Sequence, residues 1–77
     1  MKVLRYYWSP ERQKHICDMV MYVTRETKTM IMCRDRRNPR MPEMRFRKPK
    51  QYGNGLHLTQ VGKSERFSMY HYEMELE

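Results

Sequence analysis

A small α+β domain is the expectation from this sequence: a mostly antiparallel sheet of four or five strands with one helix packed on a face, in the order β-α-β-β-β-β. Three observations carry it. An aromatic and branched opening run is followed by Ser9-Pro10-Glu11, apolar residues then recur at helical spacing, and the second half of the chain is built of short alternating runs separated by turn signals. With 77 residues there is room for a single small domain over 1–77.

Lys2 to Trp8 reads as a strand, with Leu4, Tyr6 and Trp8 on one face and Val3, Arg5 and Tyr7 on the other. Leu4 marks the first of these faces as the one inclined to the core. Ser9-Pro10-Glu11 has the chemistry of a helix start: a hydroxyl acceptor for free amides, a proline at the first helical position and an acid against the positive end of the dipole. Ile16, Met19, Val20 and Val23 then form one stripe of a helix over 10–24. The same run also allows a strand over 18–23, because both of its alternating faces are apolar. It would form a hairpin with Thr29 to Cys33 across the polar turn Arg25-Glu26-Thr27-Lys28.

Thr27 to Arg34 has the two-sided apolar character of an inner strand, Thr29, Ile31 and Cys33 against Met30 and Met32. The segment 34–42 is a basic loop whose Pro39 and Pro42 exclude a helix or a central strand. Glu43 to Lys48 alternates, with Met44 and Phe46 inward and Glu43, Arg45 and Arg47 outward. Gly53-Asn54-Gly55 is a turn, Leu56 to Val61 a short strand and Gly62-Lys63-Ser64 another turn. The last run has the clearest pattern: Tyr70, Tyr72, Met74 and Leu76 face one way, and Met69, His71, Glu73 and Glu75 the other.

The apolar inventory is thin. Leu, Ile, Val and Phe supply 12 of the 77 residues, a level that with a net charge of +7 would ordinarily mark a disordered chain. Nine Met, six Tyr and one Trp reverse that reading, since Met fills irregular gaps and Tyr buries its ring while keeping its hydroxyl wet. The stability to be expected from so small a core is about 3 to 5 kcal/mol, so a partner or a homodimer interface would add to order. No apolar run is long enough for a spanning helix, and no membrane role is expected.

Cys17 and Cys33 are too few for a disulfide scaffold and read as reduced, buried core thiols of a cytoplasmic protein. Together with His15, His57 and His71 they would make a Cys and His set. The chain has no closely spaced Cys pair, however, and the step from His15 to Cys17 is a poor chelate, so neither a metal nor another cofactor is expected.

Charge is the informative feature. Residues 1–33 carry +3, residues 34–50 carry +6 and residues 51–77 carry −2. The basic stretch holds Arg34, Arg36, Arg37, Arg40, Arg45, Arg47, Lys48 and Lys50, with Tyr52 just beyond it. Clustered Lys and Arg release counterions on meeting a phosphate backbone, and interleaved aromatics (Phe46, Tyr52, and Tyr6, Tyr7 and Trp8 beside Arg5) can stack on unpaired bases. The expected function is therefore non-catalytic nucleic-acid binding through these residues. The competing structural explanation is internal pairing. If the strand over 43–48 lay beside the acidic C-terminal strand, Glu73, Glu75 and Glu77 would occupy Arg45 and Arg47.

Two further classes stand beside this one. The same arginines could dock on an acidic surface of a larger, nucleic-acid-processing protein, as an inhibitor or adaptor of the kind that small accessory proteins of viruses and mobile elements provide. A metal-independent ribonuclease would use His15, His57 and His71 with nearby Arg, Glu and Tyr for proton transfer and phosphorane stabilisation. Tyr70-His71-Tyr72 loosely resembles the end of small bacterial messenger-cleaving toxins. That likeness covers three residues, and the two-helix segment those toxins carry after their first strand has no room here. Phosphate loops, nucleophile triads, paired catalytic carboxylates and two-cysteine metal knuckles are absent from the sequence.

Overall fold

In the computed structural model, which describes residues 1–62 and 69–76, every regular element is a β-strand. The strands are β1 (Lys2–Ser9), β2 (Lys14–Glu26), β3 (Met30–Asp35), β4 (Met44–Arg47), β5 (His57–Leu58) and β6 (Tyr70–Glu75). They pair antiparallel in one sheet of order β4-β3-β2-β1-β6-β5. The predicted α+β class is therefore corrected to all-β, with no helix among the described residues.

The helix expected over 10–24 is replaced by a four-residue turn and the long strand β2, and the reason lies in the register. Ser9 does act as a cap: its Oγ accepts from the Arg12 amide at 3.3 Å. The segment turns back instead of continuing, because Gln13 takes a left-handed φ of 51° and Ser9 pairs with Lys14. Ile16, Met19 and Val23 do share a face. The step of three between Ile16 and Met19 comes from a bulge, since Arg5 pairs with Met19 and Tyr6 with Cys17, leaving Asp18 as the extra residue. A period-2 strand with one inserted residue imitates a helical stripe.

The core lies on the inner face of the curled sheet: Val3, Met21, Ile31, Cys33, Phe46, Leu58, Tyr72 and Met74. The sheet curls into a half-barrel whose ends come together just after β5. The Arg47 amide donates to the Thr59 carbonyl at 2.9 Å, the Val61 amide donates to the Arg45 carbonyl at 2.8 Å, and Phe46 bridges Gln60. Inside, the Phe46 and Tyr72 rings, from β4 and β6, meet edge to face at 4.8 Å. The curled sheet covers its own apolar face, which is the task that the expected helix was to perform.

On β1 the core-facing residue is Val3, so Leu4, Tyr6 and Trp8 occupy the outer face, contrary to expectation. Phe46, Tyr72 and Met74 point inward as their alternation requires. The predicted turn at Gly53-Asn54-Gly55 is anchored by the Gly55 amide donating to the Met74 carbonyl at 2.8 Å. Asn54 Oδ1 also accepts from the Leu76 amide at 2.7 Å. Gly55 has φ 77°, a conformation that favours glycine. Of the Gly62-Lys63-Ser64 turn, Gly62 has φ 83°. Lys63, Ser64 and the acidic Glu77 lie outside the described residues.

Candidate functional site

The outer face of the sheet carries the polar chemistry, and the registers show how it is laid out. Lys2, Tyr22 and Arg34 form one row across β1, β2 and β3. On β4, Arg45 stands opposite Met32 and Arg47 opposite Met30. At the other end, Cys17, Tyr6 and His71 form a row across β2, β1 and β6, and His57 of β5 stands opposite Glu73.

The basic residues separate into three groups. Arg34 is committed to shaping its own loop, its Nη1 donating to the carbonyls of Met41 at 3.2 Å and Pro39 at 3.4 Å. Lys48 is likewise committed: Nζ donates to the Thr27 carbonyl at 3.3 Å and lies 3.5 Å from Glu26. Arg36 leans on Tyr22, with its guanidinium 5.4 Å from the ring centroid and Nη1 donating to the phenol oxygen at 3.1 Å. Arg37, Arg40, Arg45, Arg47 and Lys50 are exposed. Among the described residues none of these five, nor Arg36, has a carboxylate partner. Tyr52 is exposed in the segment between β4 and β5.

The acidic strand does not neutralise this end. β6 pairs with β1 and β5, whereas β4 pairs with β3 and, through its bridge, Gln60, so the cross-strand pairing of Arg45 and Arg47 with Glu73 and Glu75 does not form. The acids that do meet basic residues are others. Glu43 accepts from Arg25 Nη2 at 3.0 Å and from Thr24 Oγ1 at 3.1 Å, and the Arg25 hydrogen bond holds the Glu43 carboxyl below its usual range. Asp18 takes Arg5 in a two-pronged pair, both bonds 2.9 Å. The Arg5 guanidinium also lies 4.1 Å from the Tyr70 ring centroid. Asp18 holds the Arg5 pKa above its ordinary value.

The three histidines come together, which their sequence separation gave no reason to expect. Tyr6, His71 and His57 stack across β1, β6 and β5, with centroids 5.1 Å and 5.0 Å apart and rings tilted by 9° and 11°. His15 sets its ring against His71 at 4.8 Å, and Trp8 against His15 at 5.1 Å. His71 Nε2 donates to Glu73 Oε2 at 2.7 Å, and His57 Nε2 lies 3.9 Å from the same oxygen. Burial of the Tyr6 hydroxyl, with Glu73 close by, raises its pKa. Among the described residues no arginine bonds to these imidazoles; the hydrogen-bond partner of His71 is Glu73.

The chain matches no family model, and no similar curated protein or solved structure is found. Its chemistry rests on its own side chains. Phe46, set between Arg45 and Arg47, is fully buried and cannot stack on a base, while Trp8 is 50% exposed. Of the two thiols expected in the core only Cys33 is there, its pKa pushed up to about 12 by burial. Cys17 is exposed, because the bulge at Asp18 turns it to the outer face. Sequence reading overlooked Glu73 as a partner of the histidines. The available signal was His71 and Glu73 two residues apart on one face of an alternating strand.

A cleft of about 390 Å³ opens beside β2, lined by Lys2, Cys17, Asp18, Val20, Tyr22 and Arg36 among others. It lies where β2 outruns its neighbour: β3 pairs only from Met21 onward. Among the described residues nothing pairs with that edge of 14–20.

Proposed function

We propose that this chain is a non-catalytic module that binds nucleic acid, with Arg36, Arg37, Arg40, Arg45, Arg47 and Lys50 as the phosphate-binding groups. The observation that carries the reading is their lack of carboxylate partners among the described residues, although the chain has an acidic strand. Unpaired guanidinium groups retain their full charge for a polyanion, and their counterions are released on binding. Arg34 and Lys48 act indirectly by holding the loop and the end of β4. Trp8, exposed on the outer face, supplies a ring for base stacking, which favours single-stranded ligands.

The test is charge reversal with the fold monitored. Arg36→Glu, Arg37→Glu and Arg40→Glu combined should abolish binding to a labelled oligonucleotide while the far-ultraviolet spectrum is kept. In the parent, log affinity should fall with log salt at roughly 0.7 to 0.9 per phosphate neutralised. Unchanged affinity in the triple variant would remove these residues from the site.

A second reading, an adaptor or inhibitor on an acidic protein surface, is favoured by the edge of β2 over 14–20, unpaired among the described residues, and the cleft beside it. An extended segment can add to such an edge, and at the cleft the basic Lys2, Arg36 and Arg37 outnumber the acidic Asp18 and Asp35. Stoichiometric protein retained from nuclease-treated extract, insensitive to salt, would rank this reading first.

A further inference from the structure

We propose that His57, His71 and Glu73 form a binding site for one divalent transition-metal ion, zinc by its ligand chemistry, with water completing the coordination. This is independent of the nucleic-acid reading and uses none of its residues.

The sheet geometry builds the site. His71 and Glu73 are two apart on β6, so their side chains leave the same face, and His57 is the register partner of Glu73 on β5. One along-strand neighbour and one cross-strand neighbour make a triangle of donors. Their ligand atoms all lie within 4.8 Å of one another. A tetrahedral ion with bonds of about 2.0 to 2.2 Å needs donors roughly 3.3 Å apart, so the 2.7 Å contact between His71 and Glu73 opens while the exposed His57 turns out of its stack on His71 to bring its nitrogen in. The 2.7 Å bond between His71 Nε2 and Glu73 Oε2 is the contact that the ion replaces, the imidazole binding as its neutral tautomer with the proton on Nδ1.

The surroundings fit this role. Tyr6 stacks on His71 and His15 meets it edge-on, so packing restricts the His71 ring and leaves the exposed His57 as the ligand that adjusts. The His57 side chain is 71% exposed, which gives the ion a path from solvent and leaves the fourth position open to water. Two imidazoles and one carboxylate suit zinc, cobalt or nickel rather than calcium or magnesium, which prefer all-oxygen sites.

The experiment uses the untagged chain, stripped with chelator, and titrates zinc by calorimetry and cobalt by visible absorption. The expected result is one equivalent bound, with cobalt bands of four-coordinate intensity. Affinity should fall by at least the roughly 10- to 100-fold that losing even an outer partner costs in His57→Ala and in Glu73→Gln. His57 is exposed on a two-residue strand, so His57→Ala leaves the core intact, and far-ultraviolet dichroism verifies the fold. The proposal is overturned if the parent binds no zinc. It is equally overturned if His57→Ala and Glu73→Gln bind as the parent does, or if binding is lost in Cys17→Ser while surviving in His57→Ala.

Discussion

Glu43 ties the end of β2 to the start of β4 by accepting from both Arg25 and Thr24. Thr24 is free to reach it because a second bulge, between Val23 and Arg25 in the pairing with β3, leaves Thr24 unpaired. The carboxyl is held below its ordinary value of about 4.5, with the Arg25 hydrogen bond as the largest cause. The folded chain thus binds this proton more weakly than the unfolded chain does. Its contribution to stability is present above about pH 4.5 and is lost as pH falls through the lower folded value. The urea midpoint of the parent should therefore fall more steeply between about pH 6 and about pH 3 than that of Glu43→Gln. Parallel curves would show that the pair, which is solvent-accessible, contributes nothing measurable.

Among the elements, the β1–β2 hairpin is where local preference and final structure part. Ser9, Pro10 and Glu11 have the composition of a helix start, and one capping bond of that kind does form. What stops a helix is pairing with β1 along 14–22, joined by β3 from Met21 onward. The hairpin satisfies one edge of this strand through β1, and the β-branched Ile16, Val20 and Val23 fit the pleat. The turn pays for this at Gln13, whose φ of 51° carries a penalty of about 1 kcal/mol for a residue with a Cβ. Gln13→Gly should raise stability by roughly 0.5 kcal/mol, the relief of that strain less the extra freedom of glycine in the unfolded chain. Gln13→Val should lower it. Urea midpoints read both, and a loss of stability in the glycine variant would contradict the assignment of strain.

The molecule as a whole depends on the curl, and Phe46 is where the curl closes. It is fully buried, touches Tyr72 from the far part of the sheet and sits on the strand that bridges Gln60. Truncating such a ring costs about 3 to 5 kcal/mol, against a total of about 3 to 5 kcal/mol for a core of this size. Phe46→Ala should therefore abolish the cooperative thermal transition, whereas Phe46→Leu should keep one at lower temperature. A cooperative melt in Phe46→Ala close to that of the parent would mean that the closure is dispensable.

Much was legible from the chain alone wherever one face of a strand alternates cleanly. Phe46 inward on β4, Tyr72 and Met74 inward on β6, and the turn at Gly53 to Gly55 follow from local rules of period and backbone freedom. Three things did not follow. A bulge at Asp18 shifted the period of β2 into a helical disguise. The face of β1 that enters the core was settled by pairing with Met21 and Met74, not by which face looked more apolar. The meeting of His57 with Glu73 and of His15 with His71 depends on strand order, which no local pattern encodes. The +6 of residues 34–50 is a property of the covalent chain. Its freedom from the acidic strand is a property of the sheet, because β6 returns to pair with β1 and leaves the arginines of β4 without those carboxylates.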